Sequence, residues 1–293
     1  MLDYTDWVGR RQTVVERISP EIVRRMAATM NIDKSYKERD PLPPCWHWLF
    51  FNQIDPQSIL GEDGHPPRGD FLPPVSLPRR MFAGSRLDWR GDLKVGARVE
   101  KESTILSVES KSGSSGDMVF VTVRHLYRED SQQLLEEQQD IVYRDVSSAG
   151  EREALAALAE RVRQRKDDDF FFAKPAERTQ RVLPDPVRLF RYSAATFNGH
   201  RIHYDHPYAT GIESYPGLVV HGPLLATMLV EFLLRDVVPG RTLRHFEFRA
   251  KRPTFDIGPF HLHAGACDEN GRIELWSTNN VGEVAVDGWA ACR

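Results

Sequence analysis

Four histidines, His200, His203, His206 and His221, stand with Asn198 and Asp205 in one stretch, YSAATFNGHRIHYDHPYATGIESYPGLVVHGPLLATMLVEFLL. An imidazole has its ordinary pKa close to neutrality, so it can take and return a proton under working conditions. The stretch then enters a long apolar run through His221-Gly222-Pro223. Proline is accepted in the first turn of a helix, where the free N–H groups favour negative charge. A base beside such N–H groups suits chemistry that polarises a carbonyl.

Plainer roles exist for the same residues. His200, His203 and His206 recur every third residue, as turn histidines serving local backbone groups also do. A metal set of His200, His203, Asp205 and His206 lacks both the helical His-x-x-x-His spacing and a second ligand cluster, so no metal site is expected. His261 and His263 alternate along a strand, share one face and read as structural.

The elements that must position this stretch follow from hydrophobic period. Ser19-Pro20-Glu21 starts a short amphipathic helix ending near Met30, with Ile22, Val23, Met26 and Met30 at helical spacing. PLPPCWHWLFFNQ reads as an aromatic core strand or short helix, and residues 55–80 as a long irregular excursion. Alternating segments from Arg86 to Asp145 give three or four antiparallel strands, with a loose loop at Ser112-Gly113-Ser114-Ser115-Gly116 and a tighter one at Glu129-Asp130-Ser131.

Residues 147–184 read as a connecting helix and linker. Leu155, Leu158 and Val162 form a thin apolar stripe, and the Asp167-Asp168-Asp169 run and Pro175 discourage a packed element. Beyond the histidine stretch, a helix of about Pro223 to Leu234 is apolar around much of its circumference. More strands follow, with turns at Asp268-Glu269-Asn270-Gly271 and Asn279-Asn280. Leu93-Lys94-Val95-Gly96 and Phe255-Asp256-Ile257-Gly258 each precede an alternating strand, which suggests two similar units, 1–146 and 185–293. The expected class is α+β: a double hot-dog, two antiparallel sheets each wrapped around a central helix.

Composition sets the outer limits. The chain has 293 residues, 41% hydrophobic and 28% charged, with a net charge of −3, which describes a globular protein and gives no electrostatic case for nucleic acid. Three widely spaced cysteines, Cys45, Cys267 and Cys292, make neither a disulfide framework nor a thiolate zinc site. No secretion signal or membrane-spanning run is apparent, so a cytoplasmic location without a membrane partner is expected.

Residues Tyr192–Ala209 with His221-Gly222 resemble the MaoC-like, (R)-specific type 2 enoyl-CoA hydratases. Asn198 stands where that family has Asp, His200 where it has Asn, and His203 matches the catalytic His; Asp205 and Tyr208-Ala209 match the tail of the motif. FNGHRIHYD, PGLVVHGPL and LPRRMFAGSRLDW are closer still to a branch with mesaconyl-CoA and itaconyl-CoA hydratases and the mitochondrial hydroxyacyl-thioester dehydratases.

The resemblance implies a hydro-lyase that hydrates an α,β-unsaturated acyl-CoA, or dehydrates a 3-hydroxyacyl-CoA, preferring a short branched dicarboxylyl thioester. His203 is then the acid/base, the Gly222 N–H the oxyanion donor, and Asn198 the group that positions the water. Tyr192, His200, Asp205 and His221 line the substrate site. Arg249 and Lys251 meet the CoA phosphates or a carboxylate, and the first half shapes the acyl pocket, with Arg79, Arg80 or Arg86 at its acyl end. No cofactor is implied, because CoA arrives on the substrate; a homo-oligomer is compatible. An acyl-CoA thioesterase and a non-catalytic acyl-thioester-binding module are the competing functions, and a metal-dependent hydrolase stands last.

Overall fold

Side chains alternate across a strand, and Val119, Val121, Val123 and Tyr127 fall on one face of residues 116–129, so that face must be covered. The computed structural model describes residues 4–113, 116–165, 172 and 174–293. Ser114-Ser115 and the Asp167-Asp168-Asp169 run lie outside the described residues.

The chain divides into one unit of Met1–Val146 with Ala195–Phe197, and a second of Ser147–Ala194 with Asn198–Arg293. In the first, β1 (Arg11–Arg17), β2 (Arg79–Trp89), β3 (Arg98–Gly113), β4 (Gly116–Glu129) and β5 (Gln132–Arg144) lie antiparallel in the order β1-β3-β4-β5-β2. The β4–β5 hairpin turns at Asp130 and Ser131, both at positive φ (46° and 68°), the backbone a tight hairpin requires. Helix α1 (Pro20–Thr29) starts where proline in its first turn places it and buries Val23, Met26 and Ala27. Tyr4, Val75, Ile105, Val119, Val121, Val123, Ile141 and Tyr143 form one apolar cluster of this unit.

The second unit opens with α2 (Ala149–Gln164), which carries a full capping box between Ser148 and Glu151. None of its residues is fully buried, and Leu155, Leu158 and Val162 are half-buried, as a thin docking stripe requires. The segment read as a linker also holds a strand, β6 (Arg178–Val182). Only Val182 in it is buried, so its polar sequence concealed an edge strand. After α3 (Pro186–Ala195), α4 (His206–Gly211) and α5 (Gly222–Phe232) come β7 (Leu243–Ala250), β8 (Phe260–Cys267), β9 (Arg272–Thr278) and β10 (Val284–Cys292), in the antiparallel order β7-β10-β9-β8-β6.

The two sheets repeat strand for strand. Isolated bridges Pro41–Lys94 and Val219–Phe255 occupy the same place in each repeat. The match pairs Lys94 with Phe255, one residue off the register suggested by sequence. Helix α5 packs on β8, β9 and β10 and is buried on all sides from Leu224 to Val230; it ends in a π turn over Leu233–Val237. Truncating a side chain such as Leu229 there costs about 2–5 kcal/mol. The first unit departs from expectation at the matching place, where a single 3-10 turn, Trp46–Leu49, stands instead of a long helix.

Candidate active site

Every group of the candidate site belongs to the second unit. Helix α3 supplies Tyr192 and Ser193, and the chain then turns at Phe197 (φ 51°). Asn198 holds that turn: its N–H donates to the Ser193 carbonyl at 2.8 Å and its Oδ1 accepts the His200 N–H at 3.0 Å. One 3-10 turn, Arg201–His203, follows. Asp205 then caps α4 by accepting the Tyr208 N–H at 3.1 Å.

His203 is buried, and its Nδ1 lies 2.7 Å from the Val219 carbonyl oxygen. A carbonyl only accepts, so Nδ1 carries the hydrogen and the neutral ring keeps its lone pair on Nε2. The Val219 carbonyl is itself fixed. Val219 N–H donates to Ile202 at 3.0 Å, Val220 N–H to Thr254 at 2.8 Å, and Leu218 N–H to Asp256 Oδ1 at 2.7 Å. Gly217 permits this approach, since a Cβ there would come within 2.5 Å of Asp256 Oδ1.

The His203 ring stacks on His221, with centroids 3.7 Å apart and planes 16° from parallel, and meets His200 edge-on at 5.5 Å. Ser193 Oγ lies 2.8 Å from His221 Nε2, and the Tyr192 ring abuts the imidazole at 4.9 Å. Burial first, then the neighbouring His203 and His200, push His221 well below its ordinary pKa. His221 therefore stays neutral beside His203.

His221 is also the N-cap of α5. Pro223 offers no N–H, so the amides of Gly222 and Leu224 are the first on this turn. Gly222 has an ordinary backbone, and a Cβ built on it meets nothing within 4 Å. Among the described residues nothing demands glycine there, and the space beside it is open.

The remaining sequence candidates are placed as follows. Asp205 binds Arg201 through Oδ2 at 2.8 and 2.9 Å, and these bonds with the Tyr208 amide hold its carboxyl below the usual range. In the structure it is a cap and an ion-pair partner. With His203 Nδ1 on a carbonyl and Asp205 on Arg201, these residues do not present the metal set weighed from spacing. His261 and His263 pack as a structural pair: His263 bonds Thr179 and Thr278 at 3.0 Å each and stacks on Trp276, and burial lowers both histidines to about 4.

Arg249 is exposed, with Glu247 at 3.8 Å, and Lys251 pairs with Asp287 at 2.9 Å. In the first unit, Arg86 is clamped by Asp140 at 2.8 and 3.0 Å, so a carboxylate already occupies it. Arg79 and Arg80 are half-buried on β2, opposite Arg144 and Tyr143.

Two features were missed from sequence. Ser193 carried no signal beyond its place in a helix. Glu137 carried one: it shares the inward face of β5 with Leu135, Ile141 and Tyr143, where a carboxylate is out of place.

Two five-stranded antiparallel sheets of matching order, the second over a buried helix, define a double hot-dog protein. A Mycobacterium tuberculosis protein described as having a double hot-dog fold superposes with a TM-score of 0.56 at 12% identity, over 99% of this chain and 98% of that one. A MaoC-like dehydratase from Phytophthora capsici gives 0.68 at 11% identity, over 99% of both. The description "hydroxyacyl-thioester dehydratase type 2" matches residues 45–256. The mesaconyl-C(4)-CoA hydratase of Chloroflexus aurantiacus is 41% identical over 97% of this chain and 96% of its own. The chain belongs to the hydroxyacyl-thioester dehydratase type 2 family and is a hydro-lyase. No helix among the described residues is long and apolar enough to cross a membrane.

Proposed function

We propose that this chain adds water to an α,β-unsaturated acyl-CoA, or runs the reverse dehydration, with a short branched dicarboxylyl thioester of the mesaconyl or itaconyl kind as substrate. The observation that carries the reading is the His203 tautomer held by the Val219 carbonyl, with a neutral His221 stacked behind it. The relative that hydrates mesaconyl-C(4)-CoA supports the acyl group.

His203 Nε2 takes a proton from water as the oxygen attacks the β carbon. Charge moves to the thioester oxygen, which the Gly222 N–H receives; losing such a donor costs about 100- to 1,000-fold in turnover in other enzymes. The imidazolium then returns a proton to the α carbon. A carboxylate at position 198 would be a second base; the amide instead holds the turn that sets His200 and His203, and Asp205 supports the same turn from its far end. The reaction needs only these groups, with CoA carried in on the substrate, in a cytoplasmic setting compatible with three unpaired cysteines.

A set of straight-chain and dicarboxylic enoyl-CoAs, followed by loss of enoyl absorbance and by a thiol reagent, tests this. Hydration is expected to remove absorbance without free thiol. Thiol release at the same rate would replace the hydratase with a thioesterase.

A further inference from the structure

The two repeats share one backbone bridge, and only the second repeat reinforces it with side chains. In the first unit, Val95 N–H donates to the Asp40 carbonyl at 2.9 Å and Leu42 N–H to that of Leu93 at 2.8 Å. At the matching places in the second, Asp256 N–H donates to the Leu218 carbonyl at 3.0 Å and Val220 N–H to that of Thr254 at 2.8 Å. Val95 is apolar and fully buried, so the bridge forms on backbone bonds alone.

The second unit adds two polar side chains to it. Asp256 stands where the first unit has Val95, and its Oδ1 accepts the Leu218 N–H at 2.7 Å. Leu218 is thereby held at its N–H and its carbonyl by one residue. Asn280, buried in the turn between β9 and β10, accepts the Phe255 N–H through Oδ1 at 3.0 Å. Its Nδ2 donates to the carbonyls of Phe255 at 2.9 Å and Gly258 at 2.7 Å. One amide side chain thus fixes the backbone on both sides of Asp256. The β4–β5 turn of the first unit has Asp130-Ser131 at the corresponding place and no asparagine.

The second bridge differs from the first in what hangs on it. Val219, next to Leu218 and bridged to Phe255, offers the carbonyl that accepts His203 Nδ1 at 2.7 Å. Side chains that the repeat can fold without, placed where they hold the partner of a reacting group, are a supporting shell for that group. We propose that Asp256 and Asn280 are positioning residues for the hydration: they fix the Leu218–Val219 backbone so that His203 keeps its hydrogen on Nδ1 and its lone pair on Nε2. This rests on the hydratase reading for its effect on turnover; the tautomer belongs to the folded protein without substrate.

Nitrogen-15 NMR of the full chain labelled at histidine reports which ring nitrogen carries the hydrogen, with His203→Gln assigning the signals. Wild type is expected to show His203 as the Nδ1–H form. Asp256→Ala should mix the two tautomers and lower kcat about 10- to 100-fold, with KM within about three-fold of wild type. Asp256→Asn keeps an oxygen to accept the Leu218 N–H and should recover the tautomer and most of kcat.

Gly217→Ala keeps both side chains but sets a Cβ within 2.5 Å of Asp256 Oδ1, so it should disturb the same tautomer even if Asp256→Ala fails to fold. An unchanged tautomer or unchanged turnover in Asp256→Ala would overturn the proposal. So would an Asp256→Asn variant as impaired as the alanine, which would make charge rather than hydrogen bonding the property that matters. A tautomer shift in Asp256→Ala, with a wild type that hydrates no enoyl-CoA, would retain the hold on His203 and remove the hydratase reading.

Discussion

Glu137 in the first unit and His203 in the second are both buried ionisable groups, and their surroundings differ in what holds them. Glu137 accepts from Ser85 (2.8 Å), Trp48 (3.0 Å), Tyr127 (3.1 Å) and His47 (3.2 Å), so both oxygens are filled. Burial pulls its pKa up, but His47, His125 and Ser85 outweigh that and hold the carboxylate ionised. Two of its donors, His47 and Trp48, come from the 3-10 turn that stands where the second unit has α5. The first unit thus fastens a four-residue turn with a buried acid, where the second buries an eleven-residue helix. A matched buried charge holds structure, whereas the Val219 carbonyl at His203 Nδ1 selects a tautomer of a neutral ring.

The comparison breaks first at His203. His203→Gln should lower turnover on enoyl-CoA by about 100- to 10,000-fold with the folded state retained by circular dichroism. Turnover within a few-fold of wild type would make that ring no different from the structural histidines of β8.

Glu137→Ala removes the acceptor that four donors share, and urea unfolding should show a loss of about 3–5 kcal/mol. A loss below about 1 kcal/mol, the range of ordinary surface pairs, would mean that the cluster does not anchor the turn.

Gly222→Ala separates space from packing. The new Cβ meets no protein atom within 4 Å, so the unfolding midpoint should hold or rise, while turnover falls about 100-fold as the thioester is displaced from the amide. Unchanged kinetics would move the oxyanion away from this amide.

The smallest effect is on acid stability. Burial first and the Lys101 cation second bring His125 from 6.5 to about 3. The unfolded chain then takes up this proton near 6.5 and the folded one only near 3. The contribution of the neutral ring is complete above pH 6.5 and is lost as pH falls through that window. The urea midpoint of wild type should drop between pH 7 and pH 4, and less so in His125→Gln; a parallel drop in both would assign the acid sensitivity to other groups.

Much of this architecture is written in side-chain period. Helix α1, the Asp130-Ser131 hairpin, the half-buried stripe of α2 and the largely apolar α5 each carry a local signal that the fold obeys. Strands β1 and β6 carry none, because edge strands such as RQTVVER and RTQRV expose nearly every side chain and read as loop. His203, His221 and Gly222 are legible because their residue types are unusual together. What orients His203 is the Val219 carbonyl, and a backbone acceptor leaves no trace in residue identity. Arg79, Arg80 and Arg86 read alike in sequence, and only the fold shows that Asp140 pairs with Arg86 while Tyr143 stands opposite Arg80.

Hydration of mesaconyl-C(4)-CoA in deuterium oxide tests the central claim most directly. If His203 delivers the proton, wild-type product carries a β hydroxyl and one solvent deuteron at the α carbon, with CoA still attached, and His203→Gln yields almost none of it. Free CoA with no new α carbon–deuterium bond, or full product from the variant, would contradict a histidine-driven addition of water.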